Sequence, residues 1–180
     1  MGIFPLKMKV LFTMIFLFLL SVKVVAQKAL IDSTNNKEPI AVGELGAAAS
    51  LNVKGGKSSF GYSAAVEITP IEDWLELELG LTPTFGPHLR ETDVDFLFKK
   101  PWTFSPELEF MLGAGLAWAH TSDHNVITNT ANGEIALDFM FWPSVKHQFG
   151  WYLEPAFDYG FSQEHEQSVG ISAGLLIAIR

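Results

Sequence analysis

Residues 107–120 read ELEFMLGAGLAWAH and alternate along their whole length. Successive side chains of a β-strand point to opposite faces. One face therefore carries Leu108, Phe110, Leu112, Ala114, Leu116 and Trp118, and the other Glu107, Glu109, Met111, Gly113, Gly115 and Ala117. Solvated sheet faces usually carry Lys, Thr, Ser and Gln. Glycine and alanine beside carboxylates instead suit the crowded inside of a narrow barrel. The segment predicts a strand with lipid on one side and an acidic lumen on the other.

The same alternation recurs along the chain. Phe60, Tyr62, Ala64, Val66 and Ile68 face away from Glu67, and Leu75, Leu77, Leu79 and Leu81 away from Glu76 and Glu78. Ile135, Leu137, Phe139 and Phe141 oppose Glu134 and Asp138, while Phe149, Trp151, Leu153, Phe157 and Tyr159 oppose Glu154 and Asp158. Val169 to Ile179 alternates with serine and glycine. Two weaker stretches, Ile40–Ser50 and a short Asp93–Lys99, complete a count of eight. The expected fold is all-β, an antiparallel eight-stranded transmembrane up-and-down β-barrel spanning 40–180.

Connections divide into two classes. Pro70–Asp73, Lys100–Trp102 and Pro143–His147 read as tight turns. Leu51–Ser59, Pro83–Thr92, Thr121–Gly133 and Ser162–Gln167 read as longer polar loops. Strict alternation of the two classes fits tight turns on one rim and loops on the other. Trp102, Trp142 and Trp151 map near the turn rim and Trp118 near the loop rim, where interfacial aromatics belong. Pro155 lies inside a strand and cannot donate to the ladder, which predicts a bulge or a local widening.

Composition agrees with export. Lys7 and Lys9 precede an apolar run from Val10 to Leu20, and Val24-Val25-Ala26 supplies small residues before Gln27. That run is well short of the roughly 20 residues of a spanning helix, so 1–26 reads as a signal peptide and 27–39 as a short lead-in. Without Lys7, Lys9 and Lys23, nine bases stand against 20 acids, a formal charge of −11. Such a surplus excludes a nucleic-acid partner. The chain has no cysteine and 15 phenylalanines, an aromatic load easier to turn toward lipid than to bury at this size.

Nine acids share the inward parity: Glu67, Glu76, Glu78, Glu107, Glu109, Glu134, Asp138, Glu154 and Asp158. An eight-stranded barrel is barely wide enough for its own side chains. Like charges there require shared protons, inward-reaching bases such as Arg90, Lys99 or Arg180, or bound cations and water. A solvated structural plug and a narrow cation-preferring pore both follow from this reading. His88, His120, His124 and His165 map to the loop rim near Asp123, Glu164 and Glu166 without metal-ligand spacing, so no metal and no cofactor is expected.

In these features the chain resembles the small eight-stranded outer-membrane β-barrel superfamily, the OmpA/OmpX-like, porin-type barrels. The resemblance covers 40–180 and rests on architecture. It implies the outer membrane of a Gram-negative-type cell, contact with outer-membrane lipid including lipopolysaccharide, handling by the barrel-insertion machinery, and a monomer with a structural or surface-interaction role. Barrels of that family usually end in an aromatic residue, where this chain has Ile179-Arg180. Two alternatives remain. His120-Thr121-Ser122 followed by Glu134 looks similar to the His, Ser and Glu of the lipid A 3-O-deacylases, with Asp123 where that family has Asn; there the histidine would take the serine proton and the glutamate orient the histidine. A secreted lipocalin-like binder would turn the same strands inside out, its apolar face lining a ligand cavity.

Overall fold

The structure is a computed structural model that describes residues 39–87, 89–123, 126–143 and 147–179. The signal peptide and all of the lead-in before residue 39 lie outside the described residues. Eight strands follow in order: β1 (Ala41–Asn52), β2 (Ser58–Ile71), β3 (Leu75–Gly86), β4 (Leu89–Ser105), β5 (Leu108–Asp123), β6 (Val126–Phe141), β7 (Phe149–Gly160) and β8 (Gln167–Ile179). Each pairs antiparallel with its sequence neighbour, and β1 also pairs with β8, closing the barrel. Closure satisfies every strand edge within the wall, the condition for crossing lipid with strands.

Parity sorts the side chains as the alternation predicts. On the outer face Leu79 is 58% and Trp118 61% exposed, whereas inward Glu67 and Glu78 are 1% and 2% exposed. This orientation overturns the inside-out, lipocalin-like alternative, because it turns the large apolar side chains outward and the carboxylates inward.

Strand ends depart from expectation. Lys100–Trp102 is no turn: β4 runs through it, pairing Lys100 with Leu112, Pro101 with Met111 and Trp102 with Phe110. The chain reverses at Pro106 and Glu107, so the strand expected to be shortest is the longest, at 17 residues. Most of the expected loops 83–92 and 121–133 are strand as well, with only 87–88 and 124–125 between the paired ends. Their Thr, Val and Ile content favours extended backbone as well as it favours solvent. The two classes of connection therefore do not alternate strictly by length, since 142–148 on the turn rim spans more residues than either of those hairpin tips.

Pro155 causes widening without a bulge. The β6–β7 ladder keeps one register from Asn132↔Gly160 to Phe141↔Trp151 but has no pairs at Leu137 and Asp138. Register shifts occur elsewhere, at Ile68/Ile71 and Thr103/Ser105.

Candidate functional site: the lumen

Among the described residues, Lys99 is the base buried in the lumen. It sits on β4 with the parity of Asp95 and Leu97, and its ammonium is fully buried. Nζ donates to Glu154 Oε2 at 2.7 Å, to Asp138 Oδ2 at 3.1 Å and to Glu78 Oε2. Glu67 Oε1 lies 2.8 Å away as an ion pair outside hydrogen-bond geometry. The four carboxylates come from β3, β6, β7 and β2, so one side chain ties four strands to its own. Gly113 makes room for it, because a Cβ there would stand 3.0 Å from Lys99 Cγ. The ladder widened by Pro155 lies at Asp138 and Glu154, two of the four partners.

A fifth carboxylate, Glu44 of β1, closes on this group. Ligand oxygens of Glu44, Glu67, Glu78 and Asp138 lie within 4.8 Å of one another, a spacing that could hold a metal ion. Three of those four acids already hold Lys99 Nζ, and an ammonium there competes with any metal.

Below the cluster, toward the turn rim, the lumen becomes apolar. Val42, Met111, Met140, Trp142, Tyr152 and Leu176 pack into one buried group. Trp142 is 2% exposed and stacks on His147 with ring centroids 4.9 Å apart, and His147 Nε2 lies 2.8 Å from Pro106 O. Tyr152 shares a 2.6 Å hydrogen bond with Ser63. Trp142 was expected at the lipid interface; its lumen parity places it in the core instead. Trp102, Trp118 and Trp151 keep the outer face. Trp102, Phe104, Phe110 and Phe139 form an aromatic belt there, with centroids 5.2–6.2 Å apart between neighbours.

Above the cluster the lumen opens into a cavity of about 80 Å³ lined by Asp93, Asp95, Glu134, Glu154 and Asp158 among small residues. Over its mouth Lys57 of the β1–β2 connection meets Asp123 Oδ2 at 2.7 Å. Asp123 ends β5, on the far side of the closed strand order, so this ion pair spans the opening. Hydrogen bonding to Asp123 raises the pKa of Lys57 above the ordinary lysine value.

Of the nine predicted acids, Glu67, Glu78, Asp138 and Glu154 gather on Lys99, and Glu134 and Asp158 line the cavity. Glu76 is buried opposite Lys99 in the ladder, and Glu109 is half-buried near the turn rim. Glu107 is a correction: it is exposed in the turn, bonded to Ser105, because the hairpin reverses before its parity can matter. Arg90 is exposed with outward parity, and Arg180 lies outside the described residues. Glu44, Asp93 and Asp95 were missed, although the apolar face of Val94, Phe96 and Phe98 implied an inward Asp93, Asp95 and Lys99.

The deacylase-like set does not assemble. His120 lies opposite Asn129 and bonds its Oδ1 at 2.8 Å, on the outer face with Ser122. Glu134 lies opposite Gly115 on the inner face, about five residues or roughly 17 Å farther along the sheet. Of the other loop-rim histidines, His165 stacks on Tyr159 at 5.6 Å, and His88 and His124 lie outside the described residues.

No protein-family model matches the sequence, and no curated protein matches it. Solved structures do share the fold. Neisserial surface protein A is similar over 77% of this chain and 96% of its own, with a TM-score of 0.61 at 12% identity. OprG from Pseudomonas aeruginosa is similar over 81% and 98%, with a TM-score of 0.60 at 10% identity. Ail, the attachment invasion locus protein of Yersinia pestis, is similar over 78% and 99%, with a TM-score of 0.53 at 14% identity. At these identities the likeness concerns the fold.

Proposed function

Starting from its fold, that of the small eight-stranded outer-membrane β-barrels, we propose that the chain is an exported, monomeric outer-membrane protein with a closed lumen and a structural or surface-interaction role. The observation that carries this reading is the pairing of an apolar, exposed outer face with a lumen filled at two levels. Lys99 and its carboxylates block the middle, and the group around Trp142 blocks the turn side. An outer face of this kind gains roughly 25 cal/mol for each Å² of apolar surface taken from water, so lipid, including the acyl chains of lipopolysaccharide, is its natural surrounding. Export by a signal peptide at 1–26 and handling by the barrel-insertion machinery belong to the same proposal.

Surface interaction would fall to the β3–β4 and β5–β6 hairpins, whose strands run nearly to their tips. β6 starts at Val126 but pairs with β7 only from Asn132, and Ala131 O accepts from Phe161 N just beyond β7, so Val126–Thr130 project past the neighbouring strand. Val126 and Ile127 are exposed there. Planar-bilayer recording of the purified protein tests the closed lumen. The expected result is an absence of regular single-channel steps; stable cation-selective steps would replace this reading with a pore.

A further inference from the structure

We propose that the outer half of the lumen is a binding site for a primary alkylammonium group, of the kind carried at the ends of linear polyamines. The proposal does not depend on whether the barrel conducts or on which membrane holds it.

Three observations converge. The first is the cavity itself, about 80 Å³, which draws carboxylates from three strands: Asp93 and Asp95 of β4, Glu134 of β6, and Glu154 and Asp158 of β7. The other strands supply small groups such as Ala48, Ala117, Gly170 and Ser172, with no lysine or arginine among the described lining residues. The second is Asp95. The residue is 9% exposed, and its buried Oδ2 has no hydrogen-bond partner. It lies against Gly80, where any Cβ would collide with the carboxylate, so the missing side chain at Gly80 is what allows Asp95 its position. A buried, unpaired carboxylate oxygen is costly, and a donor entering the cavity would satisfy it.

The third observation is the lower cluster. Directly beneath, the chain meets the same problem with an ammonium on an aliphatic stem: Lys99 Nζ is shared by Glu67, Glu78, Asp138 and Glu154. Glu154 belongs to both sites, bonding Nζ at 2.7 Å and lining the cavity above. An alkylammonium from outside would repeat this arrangement one level up, with three N–H donors for the acids and methylenes against Ala48, Ala117 and Ala156.

The lining also discriminates among cations. Desolvated calcium takes six to eight oxygens at roughly 2.3–2.6 Å, and among the described residues the acids gathered that tightly are those at Lys99. Quaternary ammonium groups are held by aromatic faces, and the described lining residues include no aromatic ring.

The test is calorimetric titration of the refolded full barrel in micelles, at fixed ionic strength, with 1,4-diaminobutane and spermidine against magnesium and tetramethylammonium. Saturable one-to-one binding of the amines is expected, weakened at least tenfold in the Asp95→Asn/Glu134→Gln double variant. Absent binding, equal binding of magnesium or tetramethylammonium, or full affinity in the double variant would each overturn the site. Should that variant not fold, methyl NMR of the parent protein decides. Amine-dependent shifts confined to Ala48, Ala117 and Ala156 support the site, and shifts elsewhere or none remove it.

Discussion

The deep and outer halves of the lumen are lined by the same residue types and resolve their charge differently. In the deep half a tethered ammonium sits among four carboxylates, with an apolar seal beneath. In the outer half Asp93, Asp95 and Glu134 surround open space. The difference comes from one residue. β4 carries Asp93, Asp95, Leu97 and Lys99 inward in succession, so a single strand contributes acid to the outer level and base to the inner one. Filling a lumen with acids is therefore compatible with rigidity only where the chain supplies its own counter-charge.

Removing that counter-charge should produce the largest effect. Lys99→Met leaves buried carboxylates without their partner, a change that costs about 3–5 kcal/mol for a buried pair. Urea unfolding of the refolded protein, followed by heat-modifiable gel migration, measures the loss. Adding Glu67→Gln and Glu78→Gln should recover part of it, since those acids no longer face each other charged. A Lys99→Met protein as stable as the parent would mean that the deep half is neutralised by something other than Lys99.

Next in size is the seal. Trp142→Ala removes a ring buried among Met111, Met140, Tyr152 and Leu176, and loss of a large aromatic from a packed site costs about 3 kcal/mol or more. The same substitution at Trp151, 60% exposed on the outer face, should leave lumen packing intact. Equal losses of stability at both positions in detergent would break the distinction between a sealed inside and a lipid-facing outside.

The outer wall gives a third, smaller effect. Leu79→Arg places a charge on the apolar belt, which at the midplane of a bilayer costs about 2–4 kcal/mol. Ile127→Arg, on the part of β6 that extends past β7, should fold as the parent does. Comparing the pair in lipid vesicles separates belt from projecting hairpin. If both were harmless, the outer face would not be a lipid face.

Much of this division is legible in the residues. Strict alternation in β2, β3, β5, β6, β7 and β8 assigns inside and outside because one slip of register would reverse every side chain. Strand ends were less legible. Pro101 looks like a turn residue, yet Pro106 five residues later makes the reversal, and local pattern does not say which proline wins. The Lys99 cluster was legible only as one of several bases that could reach inward. Its four partners lie on four strands, and which of them meet depends on the stagger that closes the barrel, a property of the whole ladder rather than of any segment. The failed grouping of His120 with Glu134 has the simplest cause, opposite parity on neighbouring strands.

The smallest effect is expected at the mouth, where Lys57 and Asp123 meet in solvent. Exposed ion pairs contribute little to stability and weaken with salt, so Lys57→Ala should leave urea unfolding unchanged. What it should change is the tip of the β5–β6 hairpin. Because pairing with Asp123 raises the Lys57 pKa in the folded protein, the contact is fully present below the ordinary lysine value and is lost as pH rises through the raised one. Amide exchange near Asp123 should therefore accelerate in strong alkali, beyond the general base-catalysed rate, in the parent and not in Lys57→Ala. An identical response in both proteins would show that the pair does not hold the hairpin over the outer cavity, leaving that half of the lumen open by construction.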